Sequence, residues 1–172
     1  EPDLEFYDGT YLPDGRVIAI SNIGYQGVPC VNGSDAVGNM VLYDPKDKSM
    51  RRLTFDQDAN WNPVIMNNGR VMYTRWEYTD LTHYYSRIVM HMNPDGTENK
   101  ALYGSGAMFP NSTFDVQPLP GHGSAFVGII SGHHGVARSG SMLIFDPPQG
   151  RKRTAGMVQE FTHRNRPSKE AY

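Results

Sequence analysis

Asn68-Gly69-Arg70-Val71-Met72-Tyr73-Thr74 decides the fold. An Asn-Gly pair marks a tight turn, because glycine tolerates the positive φ that such a turn needs. The run that follows is apolar, β-branched and aromatic, which is strand composition. The same order stands at Asp14-Gly15-Arg16-Val17, 54 residues earlier, and at His122-Gly123-Ser124-Ala125, 54 residues later. Val17 to Ser21 and Phe126 to Ser131 are the matching apolar runs. A period of this length signals stacked supersecondary units, none of which can bury its apolar face alone.

A second landmark follows each turn. Asn39 to Pro45, Arg87 to Pro94 and Ser141 to Pro147 are short apolar runs that end in Asp-Pro or Asn-Pro. The proline has no N–H for a ladder, so it stops the strand and begins a hairpin. Each unit therefore reads as strand A, Gly turn, strand B, long loop, strand C, Pro turn, strand D. The units are expected near residues 4–54, 59–103 and 109–158, with 159–172 beginning a further element. Four strands in this span is the size of a propeller blade. The fold class expected is all-β: a partial β-propeller of about three four-stranded blades. A β-sandwich fits the composition but not the repeated order of landmarks.

Composition agrees. The 172 residues include 18 Gly and 12 Pro, and no long segment has helical apolar periodicity. Hydrophobic residues make up 38% of the chain, enough for packed strands and too many for a disordered segment. The net charge of −2 gives no clustered basic footprint for nucleic acid. Gly150-Arg151-Lys152-Arg153 is the one dense basic run, and it reads as a solvated turn entering an edge strand. Cys30 is the single cysteine, so no internal disulfide can form. No apolar run approaches the ~18 residues of a membrane span, and Glu1-Pro2-Asp3 carries no signal-peptide pattern.

Several stretches resemble known propeller repeats. Arg52-Leu53-Thr54-Phe55 through Asn62-Pro63 and Asn67 to Val71 resemble the blade repeat of TolB-type propellers. Asn60-Trp61-Asn62-Pro63, Gly69 to Asp80 and Met92 to Thr97 resemble the middle domain of the hydrazine synthase alpha subunit family. So do Tyr103-Gly104-Ser105, Phe109 to Ser112 and Ser131 to Gly135. The resemblance covers most of residues 10–160. It implies a six-bladed propeller in a large exported protein, hence a periplasmic or extracellular, cell-envelope setting. It carries no hydrazine chemistry, because a Cys-x-x-Cys-His motif is absent and no covalent c-type haem can attach.

Chemistry is sought on the B–C loops, which a propeller presents on one rim. They span residues 22–38, 76–86 and 132–140, and carry Cys30 and Asp35, then Trp76, Glu77, Asp80, His83, Tyr84 and Tyr85, then His133, His134 and Arg138. The ligand-binding candidates are Trp76, Glu77, Asp80, His83, His133, His134 and Arg138. His133, His134 and Asp80 are the candidate set for a transition metal, imidazole with carboxylate suiting Zn, Cu or Fe. The alternative is a backbone-bonded histidine in a Gly-rich turn, and it is preferred. Trp61 and Trp76 are read first as packing between blades, an Arg75–Glu77 pair as structural, and Cys30 as inert.

Three functions are weighed. The favoured one is a binding or scaffold module whose partners are other blades or domains of the same polypeptide, or a protein or glycan at the rim. The alternatives are a metal enzyme built on His133 or His134, and the propeller of a metal- or haem-dependent envelope oxidoreductase.

Overall fold

The computed structural model describes residues 3–77, 87–132 and 139–161. Each landmark turn separates two antiparallel strands. β1 (Phe6–Tyr11) and β2 (Val17–Ser21) flank Gly15, and β3 (Asn39–Asp44) and β4 (Ser49–Arg52) flank Pro45. β5 (Asn60–Ile65), β6 (Val71–Trp76), β7 (Arg87–Met92) and β8 (Lys100–Tyr103) repeat this order. So do β9 (Ser112–Pro118), β10 (Phe126–Ser131), β11 (Ser141–Phe145) and β12 (Met157–Glu160). Helix among the described residues is limited to single 3-10 turns at Pro29–Val31 and Pro147–Gln149.

Hydrogen bonding joins the three groups of four unequally. β1–β4 form a separate sheet, whereas β5–β8 and β9–β12 belong to one eight-stranded sheet. That junction is one parallel pair, Arg87 with Ser112. The expectation of three separate sheets is corrected to this extent: β7 and β9 begin side by side and are bridged once. β2 and β6 lie in different sheets, as stacked units require.

The Gly turns at Gly15 (φ +89°) and Gly69 (φ +80°) are superimposable in hydrogen bonding. Leu12 N–H donates to Arg16 O and Gly15 N–H to Leu12 O, matched by Met66 to Arg70 and Gly69 to Met66. The third turn differs. Leu119 N–H reaches Ala125 O across a longer loop, and Gly121 (φ +78°), not Gly123, takes the left-handed position.

A further repeat lies in the first strand of each unit. Asp8 (φ 49°), Asn62 (φ 55°) and Asp115 (φ 49°) are left-handed, and the pairing register slips beside each of them. Asx residues enter this region most readily among side-chain-bearing residues, and a bulge uses it to bend a strand. Asn62 N–H donates to Asp8 Oδ2 at 3.1 Å, tying two first strands together. β1 packs against β5 and β5 against β9, so the first strands stand in series.

The middle unit explains why its strands read as nearly continuous apolar runs. Val71, Tyr73, Ile88, Met90 and Met92 face the first unit, packing on Leu12, Ile18, Ile20, Met40 and Leu42. Met72, Val89, Leu102 and Tyr103 face the third, packing on Val116, Phe126, Ile130, Leu143 and Phe145. Side chains alternate along a strand, so each face of the middle sheet fills a different core. The outer faces differ: Tyr11, Val17, Tyr43 and Met50 form one cross-strand row, with Tyr11 78% exposed.

His91 sits where this fold meets pH. Arg70 Nε donates to His91 Nδ1 at 2.9 Å, while its other nitrogens hold Asn93 Oδ1 and Glu98 O. Burial, then the charges of Arg70, Arg151 and Lys100, push the imidazole down to about 4, with Glu98 opposing. The unfolded chain takes the proton more readily, so this contribution is whole above about pH 6.5 and is lost towards pH 4. The imidazole is partly solvated, which limits the loss to about 1 kcal/mol. Denaturant midpoints measured from pH 7 to 4 should fall for the wild type and flatten in His91→Gln, whose amide oxygen can still accept. Parallel curves would remove His91 as the cause.

Candidate functional site

The β2–β3 loop and the ends of β5, β6 and β7 line a cleft of about 390 Å³. The first unit contributes Tyr7, Val28, Cys30 and Asp35, and the second contributes Ala59, Trp61, Trp76 and Arg87. The loop is shaped by its own hydrogen bonds: Val28 N–H donates to Asp35 O, Val37 N–H to Gln26 O, and Asn32 is left-handed. Val28 and Val37 are thereby turned inward, where they pack with Trp76 and, at the edge, Trp61.

The two indoles stack with centroids 6.2 Å apart and planes inclined by 22°. Arg87, the first residue of β7, lays its guanidinium carbon 4.6 Å from the Trp76 ring centre and 5.7 Å from that of Trp61. Phe114 of the third unit lies 6.0 Å away, so all three units converge on this cation. Ring quadrupoles attract a cation but do not accept its N–H groups in place of an oxygen. Arg87 Nη1 is buried with no hydrogen-bond partner among the described residues. Burial pushes the group down to about 10, only partly offset by Cys30 and Asp58. Asp35 is exposed on the lip, where water screens it.

The sequence candidates distribute as follows. Trp76 lines the cleft and is 7% exposed. Glu77 is paired with Arg75 Nη2, and Arg75 also reaches Asp56 at 3.3 Å, so this trio is held structurally. Asp80, His83, His133, His134 and Arg138 lie outside the described residues, and the metal set with them. Among the described residues no group of three or more His, Cys, Asp or Glu could hold a metal. Trp61, expected between blades, is half-buried at the edge of the Val28, Val37 and Trp76 cluster that joins the first two units, and it also lines the cleft. Cys30 is exposed at its edge as a free thiol.

Sequence reading missed Arg87, the central cation. Its signal was a charged residue opening an otherwise apolar strand directly after the second B–C loop. A larger hollow of about 510 Å³ lies by Gly106, Ala107, Met108, Phe109, Arg153 and Thr154. It is shallower in chemistry, since Arg153 is its one charged group and that backbone serves the β8–β9 connection through Arg153 N–H to Phe109 O.

No family model matches the chain, and no curated protein matches it. Among solved structures it is similar to the tricorn protease, which has β-propeller domains. The TM-score is 0.51 at 14% identity, covering 90% of this chain. The chain spans 13% of the length of that protein. At this identity the likeness concerns the fold, and it supports a β-propeller-like arrangement of the antiparallel sheets.

Proposed function

We propose that the chain is an arc of a β-propeller and serves as a non-enzymatic binding module, its ligand held on the B–C loop rim. The observation that carries this reading is the cleft between the first and second units, where the second unit places two tryptophans beside Arg87, whose buried Nη1 has no hydrogen-bond partner among the described residues. Concave sites with apolar walls and few convergent polar groups are where small molecules bind. The serial packing of β1, β5 and β9 supports the propeller, since first strands line the axis of that architecture. Proteolysis is not carried over from the structural neighbour, because the likeness at 14% identity concerns the fold alone.

The complete ring would be six-bladed and belong to an exported or cell-envelope protein of the hydrazine synthase alpha subunit family. That finer reading rests on the sequence resemblance alone. A thermal-shift screen of the chain against small acids, sugars and short peptides tests the binding role. Binding compounds should raise the unfolding midpoint and be recovered chemically unchanged by mass spectrometry. A chemically converted compound, or no stabilising compound in any class, would overturn it.

A further inference from the structure

Arg87 is costly where it stands. A guanidinium has five N–H donors in a plane, and its central carbon lies 4.6 Å from the Trp76 ring centre, a surface that offers no oxygen to accept from them. One of its terminal nitrogens is shut off from water with nothing among the described residues to accept from it. A buried, unpaired polar donor is costly, more so when charged, so such groups usually meet a partner. The neighbours that act on its charge are Cys30 and Asp58. The wall beside it, half-buried Trp61 over buried Trp76, offers an apolar plane rather than an acceptor.

Taking the rim cleft as a binding site, we infer that its ligand is a small acid whose carboxylate is attached to a ring, the carboxylate pairing with Arg87 and the ring lying against Trp61. Carboxylate oxygens match the guanidinium fork in two parallel hydrogen bonds. A flat or apolar ring face matches an indole and displaces water from it. Sugar acids and aromatic acids both meet this description.

Trp61 and Trp76 are the only two tryptophans of the chain, so its indole fluorescence reports on this cleft. The probes are glucuronate with glucose, and benzoate with benzyl alcohol, titrated into the 172-residue chain. At least one acid should give a saturable change that its neutral counterpart lacks, identifying the source as sugar or aromatic. Arg87→Lys should weaken that binding at least tenfold, because the fork is lost while the charge remains. Circular dichroism of the variant controls for folding. If Arg87→Lys does not fold, competition of the wild-type signal by acetate, and not by chloride at equal ionic strength, supports the carboxylate contact. Equal response to acid and neutral partner would overturn the inference while leaving a binding module in place. No response to any probe, with stabilising compounds found in the thermal screen, would overturn it by placing binding elsewhere.

Discussion

Phe126→Ala is expected to lower the unfolding free energy by about 3–5 kcal/mol, the usual cost of emptying an aromatic site in a core. Phe126 is fully buried, stacked on Phe145 at 4.8 Å and edge-on to Tyr103 at 6.3 Å. Tyr103 belongs to β8 of the second unit, and its hydroxyl donates to Arg153 O and Ala155 O of the third. The cluster therefore joins two units, and a cavity there loosens their contact as well as the third unit. Urea titration followed by far-ultraviolet circular dichroism measures the loss. Phe126→Leu keeps most of the volume and should cost less than about 1.5 kcal/mol, which separates cavity from misfolding. A change below 1 kcal/mol for the alanine variant would mean that the units do not share this core.

The isolated chain should self-associate, and charges on its outer faces should reverse this. Tyr11, Val17, Tyr43 and Met50 pair in register across all four strands of the first unit on the side away from the core. On the third unit, Ile129, Met142 and Phe161 make the corresponding row, with Phe161 50% exposed. In the middle unit the equivalent positions are buried on both sides, so these rows are faces made for a neighbour. Sedimentation velocity over a concentration series should show association in the wild type. Tyr43→Glu with Met50→Lys should shift its midpoint at least tenfold without lowering the urea midpoint by more than the ~0.5 kcal/mol usual for surface changes. A wild-type chain that remains monomeric at every concentration would show that these faces need no cover.

What the sequence displayed, and what it hid, follows from which interactions are local. Gly15 and Gly69 were legible because a three-residue turn that ends on a positive φ is a local demand that side-chain chemistry announces. The Asp-Pro and Asn-Pro stops were legible for the same reason. Gly121 was misplaced to Gly123 because the third turn is longer, and two glycines two positions apart satisfy the same pattern until the chain pairs. The bulges at Asp8, Asn62 and Asp115 were missed, since Asx residues suit turns equally and only strand pairing reveals a register slip. Arg87 was missed because a charged residue opening a strand is a weak local signal, and its surroundings, Trp61, Trp76 and Phe114, come from three separate strands. The cleft is lined by Val28, Cys30 and Asp35 of the first B–C loop, one of the three loops on which chemistry was sought.

An experimentally determined structure of the polypeptide that carries residues 1–172 bears most directly on whether this chain is an arc of a ring. β1, β5 and β9 should stand side by side round one axis, with the Trp61, Trp76 and Arg87 cleft opening on the rim. A further four-stranded sheet should cover the row formed by Tyr11, Val17, Tyr43 and Met50. A first sheet folded face to face onto β9–β12 as a sandwich, or an outer row left bare to solvent, would contradict the propeller reading.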